Sequence, residues 1–171
     1  MGAHEPIFLH DGIEPGAVLF LRPGQWWFGR AGDGVRRITT LLGSCVAVTL
    51  WHPCRRFGGM CHFLVPSRPG RLPQLDGRYG DDAVQLLAGA VLRARTAPEE
   101  YEVGLYGGAN MFADNPRVTI DIGANNAAVA RELLAHHRFS ARRCELLGTD
   151  HRHLTLDLGS GAIALRSGAA S

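Results

Sequence analysis

Two stretches of the chain carry apolar residues at helical spacing. Ala83, Val84, Leu87, Ala90 and Val91 predict a helix over about 81–95, and Val129, Leu133 and Leu134 predict the buried stripe of a second helix over 123–137. His136, His137 and Arg138 at the end of the second suit the negative pole of a helix dipole. The rest reads as short strands. Those over 17–21 and 25–29 flank a turn at Arg22-Pro23-Gly24, and a strand over 38–42 breaks at Gly43. Runs over 45–51 and 59–65 predict a strand pair joined by a loop through His52 and Pro53, and short strands follow over 102–106 and 118–122. The last three strands fall over 142–147, 153–158 and 162–166, with Gly159-Ser160-Gly161 as a hairpin turn between the final two. The proline- and glycine-rich stretch 66–77 reads as loop. Residues 1–14 are expected to form a flexible arm, 15–166 a single domain and 167–171 a disordered tail. Many strands and two helices predict an α+β fold with a largely antiparallel sheet system.

The alternation within the 45–51 and 59–65 pair predicts its register. If Ala47 lies opposite His62, then Val46, Val48 and Leu50 share one face with Cys61, Phe63 and Val65, and Cys45 and His62 lie diagonally on the other. A slip of one residue would separate them. A thiol at a strand start, with an imidazole on the neighbouring strand, is the arrangement that a cysteine nucleophile requires. Gly43 permits a tight turn before Cys45, and the amides around Ser44 and Cys45 are candidates for an oxyanion site. Thr39 is a candidate third group, because a hydroxyl can accept from a ring N–H. Each residue also has a plainer reading: a strand cysteine as a small buried hydrophobe, His62 as a core or surface histidine, Thr39 as a β-branched strand residue.

Composition narrows these alternatives. The chain has 171 residues, long enough for one domain with a core of its own. A net charge of +2 gives no reason to expect nucleic acid as partner. No signal peptide is visible, and the longest apolar run is too short to insert in a membrane, so a reduced cytoplasmic setting is expected. Cys45, Cys54, Cys61 and Cys144 then read as thiols. His52, Cys54, Cys61 and His62 form a conceivable metal quartet, with His151 and His153 as a second cluster. No C-x-x-C spacing supports zinc, and neither metal nor cofactor is expected. Asp81-Asp82 reads as an acidic helix start. The pairs Arg36-Arg37, Arg55-Arg56 and Arg142-Arg143 read as solvated loop ends or as docking points for an acidic partner.

Around these residues the chain resembles the CheD family of chemoreceptor glutamine deamidases. The resemblance rests on Thr40-Leu41-Leu42-Gly43-Ser44-Cys45-Val46-Ala47-Val48, then Gly58-Gly59-Met60, His62 and Pro66. It continues through Arg22-Pro23-Gly24, Gly107-Gly108-Ala109-Asn110-Met111-Phe112, Ile122-Gly123 with Asn126, and the closing hairpin, covering about 15–166. It implies Cys45 as nucleophile, His62 as general base and acid, and Thr39, next to Thr40, as the third catalytic residue, with Ser44 and Gly43 in support. It implies a layered sandwich with two principal helices outside the sheets, similar to the deamidase domain of cytotoxic necrotizing factor toxins. The implied substrates are glutamines in the cytoplasmic domains of chemoreceptors, converted through a thioester without a cofactor, with glutamyl methyl esters as a second substrate. Binding to a CheC-type phosphatase of CheY-phosphate is the alternative role, and Gly107, Gly108, Asn110, Met111 and Phe112 are candidate partner-binding residues. The chain departs from the family pattern at Cys61, which alternation turns away from the site, and at His52, which falls in a turn.

Overall fold

The computed structural model describes residues 16–70 and 72–168. Nine strands and two α-helices follow one another along them: β1 Ala17–Phe20, β2 Trp26–Arg30, β3 Val35–Leu42, β4 Val46–Trp51, β5 Phe57–Phe63, α1 Gly80–Arg93, β6 Glu102–Gly107, α2 Ile122–His136, β7 Ala141–Leu146, β8 His151–Asp157 and β9 Ile163–Gly168. The strands divide into a four-stranded sheet of order β1-β3-β8-β9 and a five-stranded sheet of order β2-β5-β4-β6-β7.

The alternation in β4 and β5 accounts for the layering. Val46, Val48 and Leu50, with Cys61 and Phe63, face the helices and pack on Val84, Leu87 and Val91 of α1 and Ala130 and Leu134 of α2. Ala47 and Met60 face the other way, onto Ile38, Leu42, Leu154 and Leu156 of the four-stranded sheet. The centre of the five-stranded sheet is therefore buried on both faces, which explains why β4 is apolar at every position but Thr49. The molecule is α+β in three layers, with the helices outside one sheet and the second sheet on the far side.

Several elements differ from the sequence reading. The sheets are largely antiparallel, as expected, but each is mixed, because β1 runs parallel to β3 and β6 parallel to β7. A parallel pair needs an intervening crossover, which β2 in the opposite sheet supplies for the first and α2 for the second. The turn at Arg22-Pro23-Gly24 thus carries the chain from one sheet to the other. Residues 118–121 form no strand; instead Asp121 caps α2, its carboxylate accepting from Ala124 N at 2.9 Å. The buried face of α2 is Gly123, Asn126, Ala127, Ala130 and Leu134, while Val129 and Leu133 sit at its margin. Small residues occupy that face because α2 starts against backbone: a Cβ on Gly123 would lie 2.4 Å from Ala109 O. Strand β9 extends through Ser167 and Gly168; the expected arm at 1–14 and the end of the expected tail lie outside the described residues. Asp82 does more than start α1. It is buried, accepts from Arg68 Nε at 2.8 Å and from Asp76 N at 2.9 Å, and so closes the loop that leads into the helix.

Candidate active site

Gly43, Ser44 and Cys45 form the corner at which the chain leaves β3 in one sheet for β4 in the other. All three of their carbonyls are held: Gly43 O by Ala109 N at 2.9 Å, Ser44 O by Asn126 Nδ2 at 3.0 Å and Cys45 O by Gly108 N at 2.9 Å. Their amides are left over. Among the described residues no backbone or side-chain oxygen takes the Ser44 N–H, and the Cys45 N–H turns to its own thiol. Two consecutive amides on a corner, with their carbonyls tied behind it, are the kind of donors that a developing oxyanion requires. The Cys45 thiol is partly exposed, and burial pushes its pKa up from the ordinary value despite the opposing contact with its own N–H.

The predicted register is observed, with Ala47 opposite His62. Cys45 and Ala47 pack on the same inter-sheet cluster, so the thiol and the imidazole occupy one side of the sheet. The backbone of His62 is clamped on its other edge by the sheet-crossing turn, its N–H donating to Gln25 O at 3.1 Å and its carbonyl accepting from Gly24 N at 2.7 Å.

The hydroxyl that meets the ring is that of Thr40, not Thr39. Thr40 Oγ1 lies 2.7 Å from His62 Nδ1 and donates its proton to Leu21 O at 2.8 Å. A hydroxyl has one proton to give, so with that proton on Leu21 it must accept from Nδ1–H. This fixes the neutral tautomer: Nδ1 carries the hydrogen and Nε2 keeps a lone pair. Nε2 is buried and makes no hydrogen bond within the protein. Thr39 sits on the opposite face of β3, donating to Leu154 O at 3.0 Å and accepting from Thr155 Oγ1 at 3.1 Å. The parity of the strand explains the exchange, since Ile38, Thr40 and Leu42 are the positions that point between the sheets.

Burial lowers the His62 pKa to about 4. With the Cys45 pKa raised, the resting pair is thiol and neutral imidazole rather than an ion pair. The shift also sets an expectation for stability. The folded pKa lies below the unfolded value of about 6.5, so the unfolded chain binds more protons between these pH values and stability falls as pH drops through that window. This one group accounts for a loss of about 3 kcal/mol by pH 4. Urea midpoints of the native protein should fall below pH 6.5 more steeply than those of His62→Gln, whose side chain cannot charge; parallel curves would contradict the assignment.

The glycine-rich segment after β6 forms the back of the corner. Gly107 has φ of 108°, and a Cβ there would lie 2.1 Å from Cys45 O. Gly107 and Gly108 are buried, so the candidate partner-binding role does not fit them; they support the Cys45 corner instead. Asn110 and Met111 are half-buried, and Phe112 is exposed. Met111 borders the corner too, its Sδ standing 3.3 Å from where a Gly43 Cβ would be. Arg152, which the sequence reading did not single out, donates to Gly107 O at 3.3 Å and to Leu147 O. Asn126 enters the sequence reading only through the resemblance, and its hydrogen bonds place it behind Cys45.

Other candidates lie elsewhere. Cys61 faces the helices, and burial raises its pKa to about 12. His52 organises the β4–β5 loop, its Nδ1 accepting from Cys54 N and Arg55 N. Cys61 and His62 point to opposite faces of β5, so the conceivable quartet does not converge, and no group of three or more metal-ligating side chains occurs among the described residues. Arg55 and Arg56 line a polar cleft of about 510 Å³ with Arg30 and Asp33. That cleft is separated from Cys45 by the length of β4, about 20 Å.

Comparison with known proteins adds a family to this geometry. Residues 64–167 match the model of a family described as CheD chemotactic sensory transduction. A protein of Dechloromonas aromatica named probable chemoreceptor glutamine deamidase CheD 3 is 43% identical over 149 residues, covering 86% of this chain and 85% of its own. The probable chemoreceptor glutamine deamidase CheD of Pseudomonas savastanoi is 44% identical over 153 residues, covering 88% and 84%. Among solved structures, the hypothetical protein YfiH of Bacillus licheniformis aligns with 71% of this chain and 49% of its own at 13% identity, with a TM-score of 0.44.

Proposed function

The chain belongs to the CheD family, and on that premise we propose that it is a protein-glutamine deamidase acting on chemoreceptors, with Cys45 as nucleophile and His62 as its base and acid. The observation that carries this reading is the proton accounting at His62. Thr40 takes the Nδ1 hydrogen, which leaves the lone pair of Nε2 free on the side of the sheet that bears the thiol.

The reaction follows from that arrangement. Nε2 accepts the Cys45 proton as sulfur bonds to the carboxamide carbon of a glutamine side chain, and the oxygen gains charge beside the Ser44 and Cys45 amides. The imidazolium returns the proton to nitrogen, the C–N bond breaks, and ammonia leaves a thioester. Water then attacks the thioester, Nε2 takes a proton from it, and glutamate is released as that proton returns to sulfur. Thr40 holds the ring and stabilises its charged form, the role the resemblance implied for Thr39. A glutamyl methyl ester would enter through the same tetrahedral intermediate. A layered fold of the kind found in cytotoxic necrotizing factor toxins suits this chemistry.

Among the described residues no helix is long and apolar enough to cross a membrane, in keeping with action on the cytoplasmic part of a receptor. The adaptor reading has one observation on its side, the exposed side chains of Phe112, Val118 and Ile120 in the segment before α2, which would suit a CheC-type partner.

Peptide mass spectrometry of a receptor cytoplasmic fragment incubated with the protein tests the proposal: specific glutamines should become glutamate. Thr40→Val should slow this conversion about 10- to 100-fold, the worth of one buried hydrogen bond to a charge, while Thr39→Val should change it by no more than about twofold. No conversion across the organism's own receptors would favour the adaptor, and equal effects of the two threonine variants would remove Thr40 from the mechanism.

A further inference from the structure

We propose that Asn126 is the positioning residue of this site: its side-chain amide sets the orientation of the Ser44–Cys45 peptide, and with it the direction of the Cys45 N–H. This rests on the deamidase reading only for its consequence in catalysis. Asn126 lies on α2 and is fully buried. Its Nδ2 gives one hydrogen to Ser44 O at 3.0 Å and the other to Leu64 O at 2.8 Å. Both partners are carbonyls, which only accept, so the orientation of the amide is unambiguous.

The two carbonyls are placed where the ladder no longer acts. The last β4–β5 pair at this end is Val46 opposite Phe63, so Cys45 stands outside the register that fixes His62. Ser44 precedes the nucleophile by one residue, and Leu64 follows the base by two. A single amide therefore ties together the chain ends that bear the thiol and the imidazole.

Orientation follows from the planarity of the peptide. In a trans peptide the C=O and N–H point in opposite directions. With Ser44 O turned to α2, the Cys45 N–H must turn away from α2, toward its own sulfur, and that contact is present. The next peptide is held in the same manner, by Gly108 N on Cys45 O. Releasing Ser44 O would let the peptide rotate and remove a donor from both the thiolate and the oxyanion.

Asn126 also carries a cost. Its Oδ1 is buried and makes no hydrogen bond within the protein. An unsatisfied buried acceptor is destabilising, and an aliphatic residue of similar volume would remove it only by leaving Ser44 O and Leu64 O without this donor.

The test is the rate at which iodoacetamide alkylates Cys45, read on the Cys45 peptide so that the exposed Cys54 and Cys144 do not interfere. Asn126→Asp keeps the shape but, as a carboxylate, has no hydrogen to give; Asn126→Leu keeps volume and removes both the donor and the orphan oxygen. Both should alkylate Cys45 about tenfold or more slowly at alkaline pH, with kcat for deamidation reduced at least as much and KM changed by no more than about threefold. For Asn126→Asp the ratio to the native rate should rise as pH falls, because a protonated carboxyl regains one donor; Asn126→Leu should show no such recovery. If the aspartate variant fails to fold, the leucine variant carries the test. Folded variants with the native alkylation rate and native kcat would overturn the proposal, as would lowered stability with unchanged alkylation. Slowed alkylation in a protein that deamidates no receptor glutamine would uphold the positioning role and reject the deamidase reading instead.

Discussion

Cys45→Ala is expected to reduce glutamine conversion in a receptor fragment to background, a loss of about 10⁴-fold or more, while leaving the fold intact. The size of the effect follows from the covalent route. Without sulfur there is no thioester, and water must attack an unactivated carboxamide. His62→Gln should cost about 10²–10⁴-fold, because Nε2 handles every proton that moves in the proposed reaction. Cys45 is partly exposed at a corner, so truncating it should shift the urea midpoint only slightly, by about 1 kcal/mol or less in stability. Activity and stability should thus separate cleanly. Conversion by Cys45→Ala within about tenfold of the native rate would exclude Cys45 as the nucleophile, whatever its neighbours do.

Gly107→Ala should have the largest effect of any substitution outside the reacting pair, and on folding as well as on activity. Two penalties coincide at this position. The backbone is left-handed, with φ of 108°, which costs an ordinary residue about 1–3 kcal/mol. The added Cβ would also stand 2.1 Å from Cys45 O, 3.2 Å from Cys45 C and 3.3 Å from Val46 Cα, and none of these backbone atoms can swing aside. Relief requires the β4–β6 pairing at Val46 and Gly107 to open, which carries the nucleophile with it. A loss of about 4 kcal/mol or more, or failure to fold, is expected. Gly32→Ala is the matched control. It too has positive φ, 127°, but nothing within 4 Å of the new Cβ, so only the backbone penalty applies. Denaturant midpoints of the two variants, with Cys45 alkylation in whatever folds, give the comparison. Equal destabilisation by the two substitutions would show that the contact with Cys45 has no weight.

The second expectation marks where the sequence could be read and where it could not. Gly107 and Gly108 stand out in the sequence, and a glycine pair after a strand allows both a surface turn and a buried cradle. Only the packing of β6 beside β4 shows that the pair supports Cys45. Thr39 and Thr40 present the same difficulty at a finer scale. Both are β-branched residues on one strand and differ by a single step of alternation, and the face that step selects is known only once Ile38 and Leu42 are seen to point between the sheets. Val129 and Leu133 have the right spacing to be buried, yet α2 turns its small residues inward because its first turn meets backbone at Gly108 and Ala109.

What the sequence determined by itself is local or nearly so. The apolar spacing of α1 placed that helix, and the alternation of β4 and β5 selected the parity of the pairing of Ala47 with His62, because a slip of one residue would put Phe63 on the opposite face from Val46 and Val48. That register brought Cys45 and His62 to one face. What only the tertiary structure decided depends on segments that meet from afar: one parallel strand pair in each of two otherwise antiparallel sheets, Thr40 crossing between sheets to the imidazole, and Asn126 reaching from α2 to the carbonyls beside both Cys45 and His62. Periodicity reports which face of an element is buried. It does not report which polar group on another element will satisfy a buried hydrogen-bonding atom, and in this protein those pairings complete the candidate site.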